Sequence, residues 1–109
     1  MMFKEIIEIE QTEVIQGFKG RFFHTNSTTI TFWEIEEGAV LPEHAHIHEQ
    51  TTQVVEGKFE MTIDTKTMVL ESGMIVSIPS NVKHSGKALT ACKLTDIFCP
   101  VREDYKDVS

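Results

Sequence analysis

Histidines alternate with other residues in the segment Gly38-Ala-Val-Leu-Pro-Glu-His44-Ala-His46-Ile-His48-Glu-Gln50. On a β-strand, residues two apart point to the same face, so His44 and His46 share a side, with Gln50 in the same phase. Two imidazole nitrogens and an amide oxygen can bind one divalent cation. The remaining ligand is then expected from a distant strand, and His84 is available. The sequence therefore predicts a metal site that only a folded sheet can assemble.

After residue 20 the chain is dominated by β-branched residues and by alternating apolar and polar positions. Turn-forming residues recur about every eight to twelve positions, which is typical of an all-β sandwich or barrel. Strands are predicted from residue 84 onward and over residues 18–23, 28–35, 51–56, 58–63, 68–70, 74–78 and 92–99. Residues 64–67 fit a hairpin turn. Residues 4–13 fit either a short helix or a strand, and residues 103–106 fit one helical turn.

The chain has 109 residues, of which 40% are apolar and 25% are charged, as in an ordinary globular protein. This length suits one domain, which buries about 65% of its unfolded surface. We expect a single domain over residues 1–109. Residues 1–20 form a strand or arm in it, which pairs either within the barrel or across a dimer. We find no signal-peptide pattern and no run long enough to span a membrane, so no membrane partner is expected.

The formal net charge of −7 lacks the basic surface that nucleic-acid binding needs. An acidic surface also repels anions at long range, so an anionic ligand must be held by local positive charge. The chain has only two arginines, Arg21 and Arg102. Arg21 fits either a ligand contact or a dimer contact. The expected partners are a small molecule and a second copy of the chain in a homodimer, because small barrels with an exposed edge strand often pair.

Cys92 and Cys99 lie an odd number of residues apart on one predicted strand, so their side chains are expected on opposite faces. They should therefore not form a disulfide with each other. Unpaired cysteines favour a reducing compartment, and we expect the protein to be cytoplasmic.

Several other residues have a simple structural interpretation. His48 fits the rim of the metal site or a hydrogen-bond partner of its ligands. His24 has no partner nearby and is expected at the surface. Phe32 and Trp33 point to opposite faces, so one is expected in the core and the other at an interface. The core is also expected to contain Phe59, Met61 and Ile63.

Two spacing patterns in this β-rich chain resemble the two motifs of the cupin superfamily. The first is Gly38, five residues, His44-x-His46, three residues, Gln50, six residues, Gly57, with glutamine where the family usually has a carboxylate. The second is Gly73, five residues, Pro79-Ser-Asn81, two residues, His84. Fifteen residues separate Gly57 from Gly73, near the family minimum. Asn81 and Ala88 stand where the family often has glycine and asparagine. The resemblance implies an all-β, single-domain cupin fold, a double-stranded β-helix or jelly-roll barrel.

A narrower resemblance is to the small pectin-degradation cupins, often called KdgF-type. It is carried by His-x-His-x-His-Glu-Gln, Val-Val-Glu-Gly-Lys-Phe, Ile-Pro-x-Asn-Val-x-His84-Ser, Asp96-Ile-Phe98 and Pro-x-Arg102-Glu-Asp-Tyr105. That family is associated with opening 4,5-unsaturated uronates into linear keto acids. The resemblance implies metal ligands His44, His46, Gln50 and His84. It also implies Asp96 as the catalytic acid and base, with Phe98 and Arg102 contacting substrate. Val101 replaces the family's second proline, and Asp64-Thr-Lys replaces its Gly-Gly turn.

The chemistry of these residues suits such a reaction. Three neutral imidazoles and a neutral amide leave the charge of the cation nearly uncompensated, so it stays a strong Lewis acid. Asp96 and Phe98 share a face of the last strand, and a buried carboxylate there can serve as acid and base. Arg102 can bind a substrate carboxylate through its guanidinium fork. The cofactor is expected to be one divalent transition metal, Ni, Mn, Fe or Zn.

Alternatives remain open from the sequence. Asp96 also fits a structural role in which it hydrogen bonds a turn, and Arg102 also fits an ion pair with Glu103 or Asp104. Instead of a uronate isomerase, the chain fits a dioxygenase with Fe at the three-histidine and glutamine site. It also fits a non-catalytic sugar-binding cupin.

Overall fold

The computed structural model describes residues 1–106. A 3-10 helix at Ile6–Glu8 precedes ten strands, and a short helix, α1, follows them at Glu103–Lys106. The strands are β1 Thr12–Ile15, β2 Phe18–His24, β3 Thr29–Ile35, β4 Val40–His44, β5 Glu49–Glu56, β6 Lys58–Ile63, β7 Lys66–Glu71, β8 Ile75–Ile78, β9 His84–Ala88 and β10 Cys92–Cys99. Among these residues, no helix is both long enough and apolar enough to cross a bilayer.

The strands form two antiparallel sheets. One has six strands in the order β1-β2-β3-β10-β5-β8, and the other has four in the order β4-β9-β6-β7. The all-β class and the two-sheet barrel predicted from the sequence are confirmed. Residues 4–13 resolve into the 3-10 helix and the start of β1, which pairs with β2 of the same chain. The homodimer stays a prediction.

Strand β10 lies between β3 and β5 and places the polar residues of the barrel interior. Its burial alternates strictly, with Cys92, Leu94, Asp96 and Phe98 buried. Asp96 pairs in register with a buried threonine on each neighbouring strand. Cys92 is buried, Cys99 is exposed and both are free thiols, as predicted.

Aromatic side chains from both sheets build the core. Phe18 on β2 makes edge contacts with Trp33 on β3 and with Phe59 on β6, at centroid distances of 6.1 and 6.5 Å. Met61 is also buried, as predicted, and Ile63 packs against the core while partly exposed. Trp33 is therefore the core member of the Phe32–Trp33 pair, and Phe32 on the other face is half-buried. Such edge-to-face contacts stabilise a core beyond the area that they bury.

Two turns of the barrel require glycine for different reasons. Gly57, between β5 and β6, has φ +93°, and a Cβ there would fall on the carbonyl oxygen of Ala91. Gly73, between β7 and β8, has φ +89° but faces open space. Both positions carry the strain of a left-handed backbone for any other residue. Only Gly57 adds a steric clash with main chain.

We expect Gly57→Ala to lower the free energy of unfolding more than Gly73→Ala. The φ strain alone costs about 1–2 kcal/mol, and the clash at Gly57 adds about 1–3 kcal/mol of overpacking. Urea denaturation of the two variants and the parent protein measures both losses. Equal losses would contradict the steric role of Gly57.

Candidate metal centre

Three histidine rings converge where β4 meets β9. His44 ends β4 and pairs in register with His84, the first residue of β9, and their ring centroids lie 4.2 Å apart. The His46 ring centroid lies 5.6 Å from that of His44 and 5.0 Å from that of His84. One nitrogen from each ring lies within 4.8 Å of the other two. The three rings can therefore share one metal ion.

The prediction that one strand carries both His44 and His46 is wrong. Strand β4 ends at His44, and residues 45–48 leave the four-stranded sheet and enter the six-stranded one. Gln50 lies near the start of β5 on that second sheet. His46 thus reaches the other two rings from a connection between the sheets. The alternation of side chains along a strand does not decide where its ring points.

The connection that carries His46 is held by the loop preceding β9. The Asn81 amide donates a 2.8 Å hydrogen bond to the His46 carbonyl, and the Ser80 hydroxyl donates one to the Ile47 carbonyl. Asn81 adopts φ 64°, a left-handed conformation that asparagine tolerates better than most residues. Because this loop leads directly into His84, the two contacts align His46 with His84.

Each ring is fixed by a hydrogen bond from Nδ1 to a main-chain carbonyl. The acceptors are Pro42 for His44 at 2.9 Å, His48 for His46 at 3.0 Å and Val82 for His84 at 2.9 Å. With Nδ1 as the donor, Nε2 of a neutral ring carries a lone pair. The buried Nε2 of His84 has no hydrogen-bond partner within residues 1–106. A bound cation would satisfy such an acceptor.

The contact between His46 and Gln50 also fits a cation. Nε2 of His46 lies 3.1 Å from Oε1 of Gln50. Burial, followed by the charge of Arg102, lowers the pKa of His46 to about 4, so the ring is neutral near pH 7. Burial likewise lowers the pKa of His84. Since Nδ1 of His46 donates elsewhere, its Nε2 and the Gln50 oxygen are two acceptors that face each other, which a shared cation would stabilise.

A chain of hydrogen bonds sets the orientation of the Gln50 amide. Nε2 of Gln50 donates to Oγ1 of Thr52 at 2.9 Å, and Thr52 donates to Oδ1 of Asp96 at 2.6 Å. Trp33 donates from Nε1 to Oδ2 of Asp96 at 2.9 Å. Because an ionised Asp96 can only accept, Thr52 must donate to it and must accept from the amide nitrogen of Gln50. The amide oxygen is thereby turned toward His46.

Asp96 is buried in the barrel interior. Burial raises the pKa of its carboxyl group to about 6, although the hydrogen bonds from Thr52 and Trp33 oppose the rise. A carboxyl group with a pKa near neutrality can be populated in both protonation states. Within residues 1–106 the Asp96 carboxylate accepts hydrogen bonds from Trp33 on β3 and Thr52 on β5, not from the turn considered as a structural alternative.

Phe98 and Arg102 lie beside the histidines. The Phe98 ring centroid is 5.7 Å from that of His46, and the Arg102 guanidinium lies 4.7 Å from the Phe98 ring and 4.0 Å from the Tyr105 ring. Arg102 also makes a bidentate ion pair with Asp104, at 3.0 Å from Nε and 2.7 Å from Nη2. The ion pair anticipated as an alternative for Arg102 is therefore present, with Asp104 as the partner.

One cavity of about 240 Å³ is lined by several of these groups, including His44 of the three histidines. Its polar lining consists of His44, Gln50, Asp96, Arg102 and Asp104, and the remaining wall is aromatic or aliphatic apart from the hydroxyl of Tyr105. The site thus places His44 and Gln50 of the metal-binding set, a carboxyl group and a guanidinium along a cavity with a largely apolar wall, which strengthens electrostatic interactions inside it.

Arg21 and His48, the two other residues considered for the site, do not line this cavity, and neither does His24. Arg21 donates to the carbonyls of Ile7, at 3.3 Å, and of Ile9, so it holds the N-terminal segment. His48 supports His46 through its main-chain carbonyl, while its ring faces Phe98 at 6.4 Å. His24, half-buried rather than at the surface, contacts Thr29 through Nδ1 at 2.8 Å.

Sequence reasoning missed the supporting contacts of Thr52 and Trp33 and the place of Asp104 beside the cavity. Thr52 follows Gln50 by two residues on β5, so its shared face was readable once the strand was known. The Trp33 contact depends on the pairing of β3 with β10, which local sequence does not specify. Asp104 was considered only as an ion-pair partner, without a place in the cavity.

Comparison with known proteins places these features in a family. A search of the curated proteins found no match. A cupin-domain profile matches residues 31–98. An RmlC-like cupin from Shewanella frigidimarina is 29% identical with a TM-score of 0.91, covering 96% of each chain. KdgF from a Halomonas species is 27% identical with a TM-score of 0.90, covering 96% of this chain and 98% of the other. The salicylate 1,2-dioxygenase of Pseudoaminobacter salicylatoxidans, 20% identical with a TM-score of 0.76, shares the fold over 80% of this chain and 26% of its own. With a three-histidine site on this barrel and a family match over most of its length, the chain belongs to the cupin family.

Proposed function

We propose that this protein is a metal-dependent isomerase that opens 4,5-unsaturated uronates, released in pectin and alginate breakdown, into linear keto acids. The observation that carries the proposal is the three-imidazole cluster, of which His44 lines the same cavity as the buried Asp96 carboxyl group and Arg102. The likeness to KdgF over 96% of the chain supports it. So does the Asp96, Phe98 and Arg102 spacing expected for that group.

The proposed reaction is an internal rearrangement. The bond between C1 and the ring oxygen breaks, the anomeric hydroxyl loses its proton and becomes an aldehyde, and the ring oxygen stays on C5. The resulting C4–C5 enolate takes a proton at C4, and C5 becomes a ketone. One proton leaves and one is gained, so no oxidant, reductant or net water is needed. One buried carboxyl group can carry out both transfers.

The residues of the site have separate roles in this reaction. Asp96 takes the proton from the anomeric hydroxyl and returns one to C4. Arg102 binds the substrate carboxylate through a bidentate contact, and the Phe98 ring provides an apolar surface beside it. His44, His46, His84 and Gln50 would hold the cation, whose chemistry is to polarise oxygens of the sugar.

The size of the cavity favours a single sugar unit. Sites for drug-sized ligands occupy roughly 300–1,000 Å³, and this one has about 240 Å³. A monomeric unsaturated uronate suits that volume better than an oligosaccharide. The charge balance agrees, because Arg102 and the cation supply positive charge that the acidic surface lacks.

Protein purified without chelator is expected to contain about one divalent transition metal per chain. His84→Ala should lose it, because His84 supplies a buried Nε2 with no other role in the site. The loss of affinity should exceed the roughly 10–100-fold typical when a ligand loses a supporting hydrogen bond. Elemental analysis measures the content. His48→Ala is the matched control, since it keeps the carbonyl that holds His46 and should keep the metal. Full metal content in His84→Ala would rule out the site.

Asp96→Asn is expected to lower kcat about 10²–10⁴-fold, since it removes the acid and base while nearly preserving volume. Loss of ultraviolet absorbance from the conjugated double bond follows the reaction. Asp64→Asn, in an exposed turn at φ 57°, should behave as the parent protein does. A metal-loaded Asp96→Asn protein with parental kcat would remove Asp96 from the mechanism.

A second candidate is a dioxygenase, favoured by the largely apolar cavity wall, which also suits an aromatic ligand. The fold is shared with a salicylate 1,2-dioxygenase whose structure contains gentisate. We expect iron-loaded protein to consume no oxygen with either gentisate or an unsaturated uronate. An oxygen electrode measures this, and consumption with either compound would favour the second candidate. Tight uronate binding without turnover would instead indicate a sugar-binding protein.

A further inference from the structure

The ion pair between Arg102 and Asp104 is unequal in burial. Nη2 of Arg102 lies 2.7 Å from Oδ2 of Asp104, yet the Arg102 side chain is 10% exposed and that of Asp104 is 60% exposed. Both residues line the cavity that is also lined by Asp96 and His44. A carboxylate already fills the guanidinium fork that the proposed substrate needs.

Arg102 has little freedom to move away from this position. Its guanidinium lies against the rings of Phe98 and Tyr105, and its main-chain amide donates to the buried Oγ1 of Thr29 at 2.9 Å. A buried guanidinium that loses its partner is strongly unfavourable, whereas an exposed carboxylate is readily solvated. If the pair separates, Asp104 is the member that moves.

The surroundings of Asp104 offer its carboxylate a second position on the solvent side. On the solvent side, Asp104 lines a depression together with Asn26, His48 and Glu103. Nδ1 of His48 has no hydrogen-bond partner among residues 1–106. Because the Asp104 side chain is 60% exposed, a rotation toward this depression would place its carboxylate among polar side chains and water.

We propose that Asp104 is an internal competitor for Arg102, which fills the guanidinium fork in the free protein and is replaced by the carboxylate of the bound ligand. This inference rests on the proposed function, because it needs Arg102 to receive an acid group. The fork is never left unpaired, and the exchange conserves the bidentate geometry. Asp104 would then set specificity. A carboxylate alone gains little by replacing it, whereas a sugar acid gains further contacts in the cavity.

The test compares Asp104→Asn with Glu103→Gln in the metal-loaded, full-length protein. Both variants remove one acidic charge, but Glu103 pairs with Lys106, at 3.5 Å, and not with Arg102. D-galacturonate and acetate serve as unreactive probes in titration calorimetry. We expect Asp104→Asn to bind galacturonate about two- to fivefold more tightly than the parent protein, the range of a partly exposed ion pair. Acetate should gain affinity as well, and Glu103→Gln should match the parent protein.

Turnover separates competition from positioning. If Asp104 competes, Asp104→Asn lowers KM for the unsaturated uronate by a similar factor and leaves kcat within about twofold. If Asp104 instead orients Arg102, KM rises or kcat falls, and galacturonate binds more weakly or equally. Either of those results overturns the proposal, as does absence of any galacturonate binding to Asp104→Asn.

A measurement on the parent protein covers the case in which Asp104→Asn does not fold. Nuclear magnetic resonance follows the Asp104 carboxyl carbon and the Arg102 Nε–H during galacturonate titration. Displacement predicts that the Asp104 carbon shifts to a solvent-exposed value while Arg102 Nε–H stays hydrogen bonded. An Asp104 signal unchanged at saturation overturns the proposal. Failure of the proposed function is distinct, because it is lack of turnover by the parent protein, and binding of galacturonate does not depend on turnover.

Discussion

The hydrogen bond from Thr52 to Asp96 is the contact on which the order of the site depends. The Asp96 carboxylate can only accept, so the Thr52 hydroxyl points at it and takes its own hydrogen bond from the Gln50 amide. That one direction of donation turns the Gln50 oxygen toward His46. A metal-binding face and an acid–base face on two neighbouring strands are thus coupled through a single hydroxyl group. Reversing any one of these bonds would leave a buried polar atom unsatisfied.

Main-chain carbonyls orient the three histidines. All three Nδ1 atoms donate to backbone, so the tautomers are set by the path of the chain rather than by other side chains. The histidines are therefore presented by turns and strand ends. Within residues 1–106 the metal set contains no acidic residue, which keeps the positive charge of a bound cation available to an anionic ligand.

Much of the fold and part of the site could be predicted from sequence. Apolar and polar residues alternate over residues 58–63 and 92–99, and this alternation predicted both strands, because a period of two is typical of a strand buried on one side. The grouping of His44, His46 and His84 followed from spacing and from resemblance to a family. The shared-strand explanation failed because His46 lies in a crossing between sheets, whose geometry depends on contacts with residues 80 and 81. The Trp33 contact with Asp96 depends on the long-range pairing of β3 with β10, which local patterns do not encode. The ion pair of Asp104 with Arg102 is local, but the place of Asp104 beside the cavity depends on how the end of the chain packs on the barrel.

The contacts of Arg21 affect which substitutions the N-terminal segment can accept. It holds the N-terminal segment through carbonyl oxygens of Ile7 and Ile9 rather than through their side chains. Every amino acid carries that oxygen, so mutation of either position leaves the acceptor in place. The hydrogen bonds from Arg21 therefore do not depend on the side chains at positions 7 and 9. The exposed positions Ile6 and Ile7 can therefore change without loss of these hydrogen bonds, whereas Ile9 is itself buried and remains constrained by packing.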